Sequence, residues 1–329
     1  MKPSTPFLLS AAVLLSTAAV AQAAPVAPPA FTVKVFAGAP SRANFGPDDI
    51  TSLNLNVIVA WQNGIGPKGE AGPHTVLSST VVRYSRSGSV TTGGRCPARS
   101  MGGDGNRLIA TANEDGNSVL YVVNPGAPEK RQVTVTLATT TTRKMTKVGT
   151  KTRRIKVVSH IAKLSPAFLD NSHATDAIRA SGVTLHLTDP DSTAFVPANS
   201  GDLFAGDYVL DSQADDQLVF AAGLGSGHAM LTRLPLTCVN PITQATSKAG
   251  IDDVRWAPAD NATLYAVDIK ANKVYKVSGP FTAGEAIASL DTVSAASTGT
   301  TLATLNDGSG ELDPFITGLK AAKGLLFMP

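Results

Sequence analysis

The sequence predicts an all-β protein folded as a β-propeller, with four-stranded antiparallel blades around a central channel and six blades as the natural division. Three observations predict it. The stretch Asp252–Ser278 alternates apolar and polar residues with period two between clusters of Asp, Asn and Pro, as short antiparallel strands joined by tight turns do. The pattern then recurs. Asp48-Asp49-Ile50 followed by Asn56–Trp61 repeats the double Asp, the turn and the apolar strand of Asp252-Asp253-Val254 and Leu264–Val267. Weaker copies stand at Arg107–Thr111 with Leu120–Val123 and at Asp207–Leu210 with Leu218–Phe220. Finally, roughly 40–50 residues per blade divides the chain into about six units, the radial repetition of a propeller. Helical patterning is scarce; only Ala283–Leu290 could form a short helix.

The chain opens with Lys2, the apolar run Phe7–Val20 and Ala21-Gln22-Ala23. This is the layout of a secretory signal peptide over residues 1–23, cleaved after Ala23. The run is short for a membrane span, and no other segment reaches transmembrane length. A secreted or periplasmic, monomeric protein is expected. Residues 24–43 read as a linker and N-terminal strand, with Phe31–Phe36 an outer strand that helps close the ring. Residues 44–329 read as one propeller domain.

Within it, Thr80–Tyr84 and Ser89–Thr92 complete a first blade after Asn56–Trp61. Gln62–Pro73 is a long Gly/Pro loop, and long ordered loops are often functional. Asp104-Gly105-Asn106 is a hairpin turn. Residues 138–170 form an irregular basic segment with no secure assignment. Val183–Leu187 alternates as a strand, and Thr188–Ser192 reads as a turn. Gly206–Leu210, Gln217–Ala221 and His228–Leu234 form the next blade, followed by the Asp252–Ser278 blade and a closing blade with Phe315–Leu319 and Lys323–Phe327. Gly223–Gly227 looks like a glycine-rich phosphate loop, but no helix pattern follows, so a hairpin loop is expected.

The net charge of +3 hides an asymmetry: Lys130–Leu169 carries ten Lys and Arg and no acid, leaving the remainder net acidic. Such a block can be an anionic-surface patch or a pair of solvated strands. It lacks interleaved aromatic residues through Thr139–Lys156, and nucleic acid is not expected as a partner. Cys96 and Cys238 are the only cysteines. They permit one disulfide in an oxidising compartment, though nothing in the sequence makes them neighbours. The five histidines show no metal spacing. His186 reads as structural, whereas His74 and His173 could reach a channel mouth.

In a four-stranded blade, the loop into the innermost strand and the loop leaving the second strand lie at one end of the ring. Asp48, Asp49, Asp176, Asp252 and Asp253 precede expected innermost strands. Gln62, Asn63, Asn113, Glu114, Asp115, Asp211, Gln213 and Asp268 follow expected second strands. Carboxylates and amides converging on one mouth suit Ca²⁺ or another divalent cation, with the five Asp as ligands. Alternatively each Asp bonds the backbone of its own turn.

Leu264–Asp268 with Asn272–Tyr275, Asn117–Val123, and Phe315–Leu319 with Lys323–Phe327 resemble exported bacterial propellers of the NHL-repeat and gluconolactonase-like (senescence-marker-like) superfamily. The likeness spans most of the chain outside about 138–170. It implies a propeller whose relatives include lactonases, esterase-like enzymes, lyases and pure binding rings. In the lactonases a divalent ion polarises a lactone carbonyl. That enzyme pattern also requires a Glu near the start of the first blade, and none stands there. Two functions follow. One is a non-catalytic exported propeller binding an extracellular or periplasmic ligand or partner at the channel mouth, with a structural Ca²⁺. The other is a divalent-metal-dependent lactonase or esterase-like hydrolase. No nucleotide or organic cofactor is expected.

Overall fold

A computed structural model describes residues 24–39, 46–53, 56–63, 78–87, 90–96, 102–103, 108–112, 119–124, 142–148, 151–157, 163–169, 171–187, 190–223, 229–239, 246–290 and 300–329. These residues are all-β and propeller-like. Among them there is no α-helix, only a single 3₁₀ turn at Gln213–Asp215. Among the described residues, five sheets contain a run of four antiparallel strands, where chain length leads to an expectation of six units. Their innermost strands contact one another in series. Pro47–Leu53 touches Ala322–Met328, which touches Ile251–Trp256; that strand touches Pro190–Phe195, which touches Gly102–Gly103.

The first sheet follows the expected order without a break: Pro47–Leu53, Asn56–Asn63, Ser78–Tyr84 and Val90–Cys96. The second joins Gly102–Gly103, Leu108–Ala112 and Val119–Asn124 to Lys163–Leu169. Between its third and fourth strands lies a separate hairpin, Thr142–Val148 with Lys151–Val157. The third runs Pro190–Phe195, Tyr208–Ser212, Gln217–Ala222 and Met230–Pro235. Its last two strands pair Ala222 with Met230, and residues 224–228 of the glycine-rich stretch lie outside the described residues.

The third sheet and the sheets containing Ile251–Trp256 and Thr263–Asp268 are buried on both faces, and this explains their runs of consecutive apolar residues. In Thr263–Asp268, Leu264 and Ala266 pack with Ile287, Leu302, Ile316 and Leu319 of one neighbour. The alternate residues Tyr265 and Val267 pack with Ile50, Val57, Val59 and Trp61 of the other. In the third sheet, Val209, Leu218 and Phe220 face Val254, Trp256 and Ala288, while Tyr208, Leu210 and Val219 face Phe168. A strand buried on two sides cannot show the apolar/polar alternation of a strand with one wet face. Close approach also fixes a glycine: a Cβ on Gly46 would lie 1.9 Å from the Ile269 carbonyl oxygen of the adjoining sheet.

Four sequence expectations are corrected. Asp252–Ser278 is not one blade. Ile251–Trp256 pairs with Ala286–Leu290, whereas Thr263–Asp268 and Lys273–Ser278 belong to the next sheet, where Ala322–Met328 takes the innermost place. Ala286–Leu290 is accordingly a strand and not a helix, because partners on both edges, Ile251–Trp256 and Thr300–Asn306, satisfy its backbone. Residues Pro190–Ser192, read as a turn, open an innermost strand. His173–Asp176 is an outer strand, in a hairpin with Ser181–Thr184 that pairs in parallel with Met230–Pro235. A second hairpin, Thr237–Val239 with Thr246–Lys248, attaches in the same way to Glu311–Leu319.

Two strands far apart in sequence, Thr32–Gly38 and Ala322–Met328, form the opposite edges of one sheet. Thr32–Gly38 pairs with Lys273–Ser278 on the outside, as expected for an outer strand, and Ala322–Met328 is on the inside. Phe31 stacks edge-on against Phe281 at 4.9 Å and Phe315 at 4.8 Å, holding the N-terminal strand down. Cys238 is a free buried thiol, so the bridge the sequence permits does not form.

Phe220 is fully buried, stacked on Phe204 at 3.8 Å and edge-on to Trp256 at 6.1 Å. Truncation leaves a cavity between two sheets, so Phe220→Ala should lower stability by about 3–5 kcal/mol. Urea unfolding measures this, and a loss under about 1 kcal/mol would contradict the packing described.

Candidate functional site

Four innermost strands share a local irregularity near their first residues. The register slips between Pro47 and Asp49, between Pro190 and Thr193, and between Ile251 and Asp253. In Ala322–Met328 it slips between Ala322 and Leu325. A bulge leaves residues out of the ladder and re-aims their side chains. The residues left out of the ladder are Asp48, Asp191 with Ser192, Asp252, and Lys323 with Gly324.

Asp253 follows the Asp252 bulge and is almost wholly buried. Its oxygens accept from the Val254 amide at 2.8 Å and from the Leu325 amide of the adjoining sheet at 2.7 Å. Arg255 pairs with the same carboxylate at 2.7 Å. The guanidinium donates further to the Leu325 carbonyl at 3.2 Å and the Thr193 carbonyl at 2.9 Å. One Asp-x-Arg unit thus satisfies both backbone groups of Leu325 and one of Thr193, linking three innermost strands. Burial raises the Asp253 pKa, and Arg255 and the two amides oppose the rise.

Asp252 faces a different set of partners. Lys323 places its ammonium on the Asp252 carboxylate, and the Gln213 side-chain amide donates to the same oxygen at 3.4 Å. Gln213 follows the second strand of the third sheet, the location expected for a residue at the mouth. Asp252, Lys323 and Gln213 therefore converge from three sheets, with a carboxylate, an ammonium and an amide together.

The other expected site residues divide differently. Asp268 is fully buried and accepts from the backbone amides of Ala271, Lys320 and Ala321, which makes it a brace between two turns. Asp176 caps its own turn through the Ile178 and Arg179 amides and pairs with Arg233 at 3.4 Å. It stands on an outer strand, away from the innermost ones, and so does His173, which contacts Thr184. Asp211 is buried in the second strand Tyr208–Ser212. Asp48, Asp49, Gln62 and Asn63 lie in described strands, but their side chains are outside the described set. Asn113, Glu114, Asp115 and His74 lie outside the described residues.

The described carboxylates Asp176, Asp252 and Asp253 do not converge on one divalent ion. The Asp253 oxygens are taken up by amides and Arg255, Asp176 is remote, and a built-in ammonium already sits on Asp252. Among the described residues no group of three or more His, Cys, Asp or Glu could hold a metal. Sequence reasoning missed Lys323 and Arg255. Arg255 was detectable from its offset behind the double Asp; Lys323 required knowing that the C-terminal strand is innermost.

A second acidic group lies at the opposite end of the strands. The Trp256 indole donates to Asp307 at 3.4 Å. Burial pushes the Asp307 pKa up to about 6; the indole opposes this, and the nearby Asp202 adds to it. Burial also raises Asp202.

This fold and mouth define a propeller-like all-β protein with a mixed-charge centre. No protein-family model and no curated protein sequence matches the chain. Among solved structures it is similar to a candidate 6-phosphogluconolactonase from Bacteroides fragilis, at 13% identity and a TM-score of 0.29, covering 85% of this chain and 72% of that one.

Removing Arg255 strands a buried carboxylate. Arg255→Met should cost about 3–5 kcal/mol, and Asp253→Asn with Arg255→Met should cost clearly less than the sum of the single changes. Additive losses in urea unfolding would dissolve the clamp. For Asp307 the folded pKa lies above the ordinary 3.8. The folded state then binds the proton more tightly, and this stabilisation, present at low pH, is lost as pH rises through about 6. Asp307→Asn should flatten that decline between about pH 4 and 6 in urea midpoints; an unchanged slope would contradict the assignment.

Proposed function

We propose that this protein is an exported propeller that binds a small polar ligand at the mouth formed by its bulged innermost strands, without catalysis. The observation that carries the reading is the meeting of Asp252, Lys323 and Gln213 from three different sheets. An ammonium beside a carboxylate offers a hydrogen-bond donor and an acceptor at once. A ligand with its own carboxylate and a hydroxyl or amine can exchange for the internal pair, its carboxylate meeting Lys323 and its donor meeting Asp252. Sugar acids and amino acids have this chemistry. The clamp of Asp253 and Arg255 behind the site supports the same reading, since it fixes the strands on which both residues ride. Export rests on the basic, apolar and Ala-x-Ala pattern of residues 1–23.

The test is a thermal-shift and calorimetric panel of sugar acids and amino acids, run with Asp252→Ala and Lys323→Ala. At least one panel member should bind, and each substitution should weaken it by about tenfold or more. Binding unaffected by both substitutions would sink the proposal. So would turnover of a lactone or ester panel that is lost with EDTA and restored by a divalent ion.

A further inference from the structure

Resting on the ligand reading above, we infer that the mouth takes ligands that carry an ammonium as well as a carboxylate, free α-amino acids ahead of hydroxy acids and sugar acids. Asp211 is the residue that sets this preference. It is 1% exposed and lies on the wall of the third sheet that meets Asp252, itself 5% exposed. Two carboxylates withdrawn from water thus share a neighbourhood with the Lys323 ammonium.

The strand itself places Asp211. Side chains alternate along Tyr208–Ser212. Tyr208 and Leu210 pack toward Phe168, whereas Val209 packs with Ile251, Val254 and Trp256 of the adjoining sheet. Asp211 shares the Val209 face, and its register partner Leu218 belongs to that same core. Gln213 stands two residues further on, and its amide reaches Asp252. The turn Gln213–Asp215 is seated on the start of the strand Ile251–Trp256. A Cβ on Gly250 would lie 3.1 Å from the Gln213 carbonyl oxygen and 3.5 Å from an Asp216 carboxylate oxygen. Asp211 therefore lies between the Val209 core contact and the Gln213 bond, on the side that faces Asp252.

The charges around this pair are committed elsewhere. Arg255 pairs with Asp253 at 2.7 Å. Lys248 reaches Asp216 at 3.9 Å from a side chain that is mostly exposed, and Asp215 accepts from the Ser212 hydroxyl at 2.6 Å. Lys323 is the cation set on Asp252, and its side chain is 23% exposed, so an incoming carboxylate can reach it from solvent. A ligand carboxylate that draws this ammonium away leaves Asp252, with Asp211 close by, short of one positive charge. A ligand hydroxyl supplies a hydrogen bond there and no charge, and an uncompensated buried carboxylate is costly. A ligand ammonium restores the balance and brings several charged donors, enough to serve both carboxylates. The exchange is then ammonium for ammonium.

The test is calorimetry on the purified protein with matched pairs: L-alanine with L-lactate, L-aspartate with L-malate, L-serine with L-glycerate and L-phenylalanine with L-phenyllactate, with gluconate and galacturonate alongside. At least one amino acid should bind about tenfold or more tighter than its hydroxy acid. Asp211→Asn should cut that ratio to about threefold or less, and Asp211→Glu, which keeps the charge, should hold it. Thermal unfolding checks that both variants fold. The ratio in the unaltered protein decides the ligand class without any variant, so a misfolded Asp211→Asn does not shelter the inference. Hydroxy acids or sugar acids bound as tightly as amino acids, with that binding lost in Lys323→Ala, would uphold the mouth and overturn the selection. An amino-acid preference that survives Asp211→Asn would overturn the role of Asp211. Binding by no panel member would remove the ligand reading itself, and this inference with it.

Discussion

The structure depends on how the inner edge of each sheet is finished. An innermost strand pairs on one side only, and its remaining N–H and C=O groups need partners. At Leu325 both partners come from one neighbouring strand: Asp253 accepts from the amide and Arg255 donates to the carbonyl. Arg255 then reaches the Thr193 carbonyl on the far side. Two side chains two residues apart on one strand therefore do across the sheets what a ladder does within one. The bulge at Asp252 sets this up by turning the strand start so that Asp253 and Asp252 face different surroundings. One is sealed into the wall and the other meets Lys323 and Gln213.

Packing between sheets supplies the rest. Thr263–Asp268 gives alternate residues to two neighbours, so Leu264 and Tyr265, adjacent in sequence, belong to different cores. The Thr263–Asp268 sheet also joins strands from distant parts of the chain. The C-terminal strand takes the innermost place of a sheet whose outer edge is the N-terminal strand. The isolated bridge between Val26 and Thr317 ties the preceding segment to the adjoining sheet.

Much of the strand content was legible because period-two patterns and turn residues are local. The first sheet and the Tyr208–Pro235 strands follow the sequence reading closely. Assignment of strands to sheets was less legible, since pairing partners are distant: nothing local says that Trp256 ends a strand of one sheet and Thr263 begins a strand of the next. The double Asp at Asp252-Asp253 was readable as a special position, but its two halves have opposite roles. Asp176 was misplaced because an Asp that caps a turn on an outer hairpin looks the same in sequence as one before an innermost strand. Asp268 accepts from Ala271 of its own turn, as the alternative reading of each Asp has it, but two further amide donors come from residues more than fifty positions away and leave no local signal.

The central claim is that side chains of one sheet close the inner edge of the next. Native-state amide hydrogen exchange tests it most directly at Leu325, whose amide is bonded to a side chain and not to a strand. The account predicts that this amide exchanges as slowly as those of the buried strand Ile251–Trp256, and that Asp253→Ala speeds it selectively. A Leu325 amide exchanging at the rate of an open loop in the unaltered protein would contradict it.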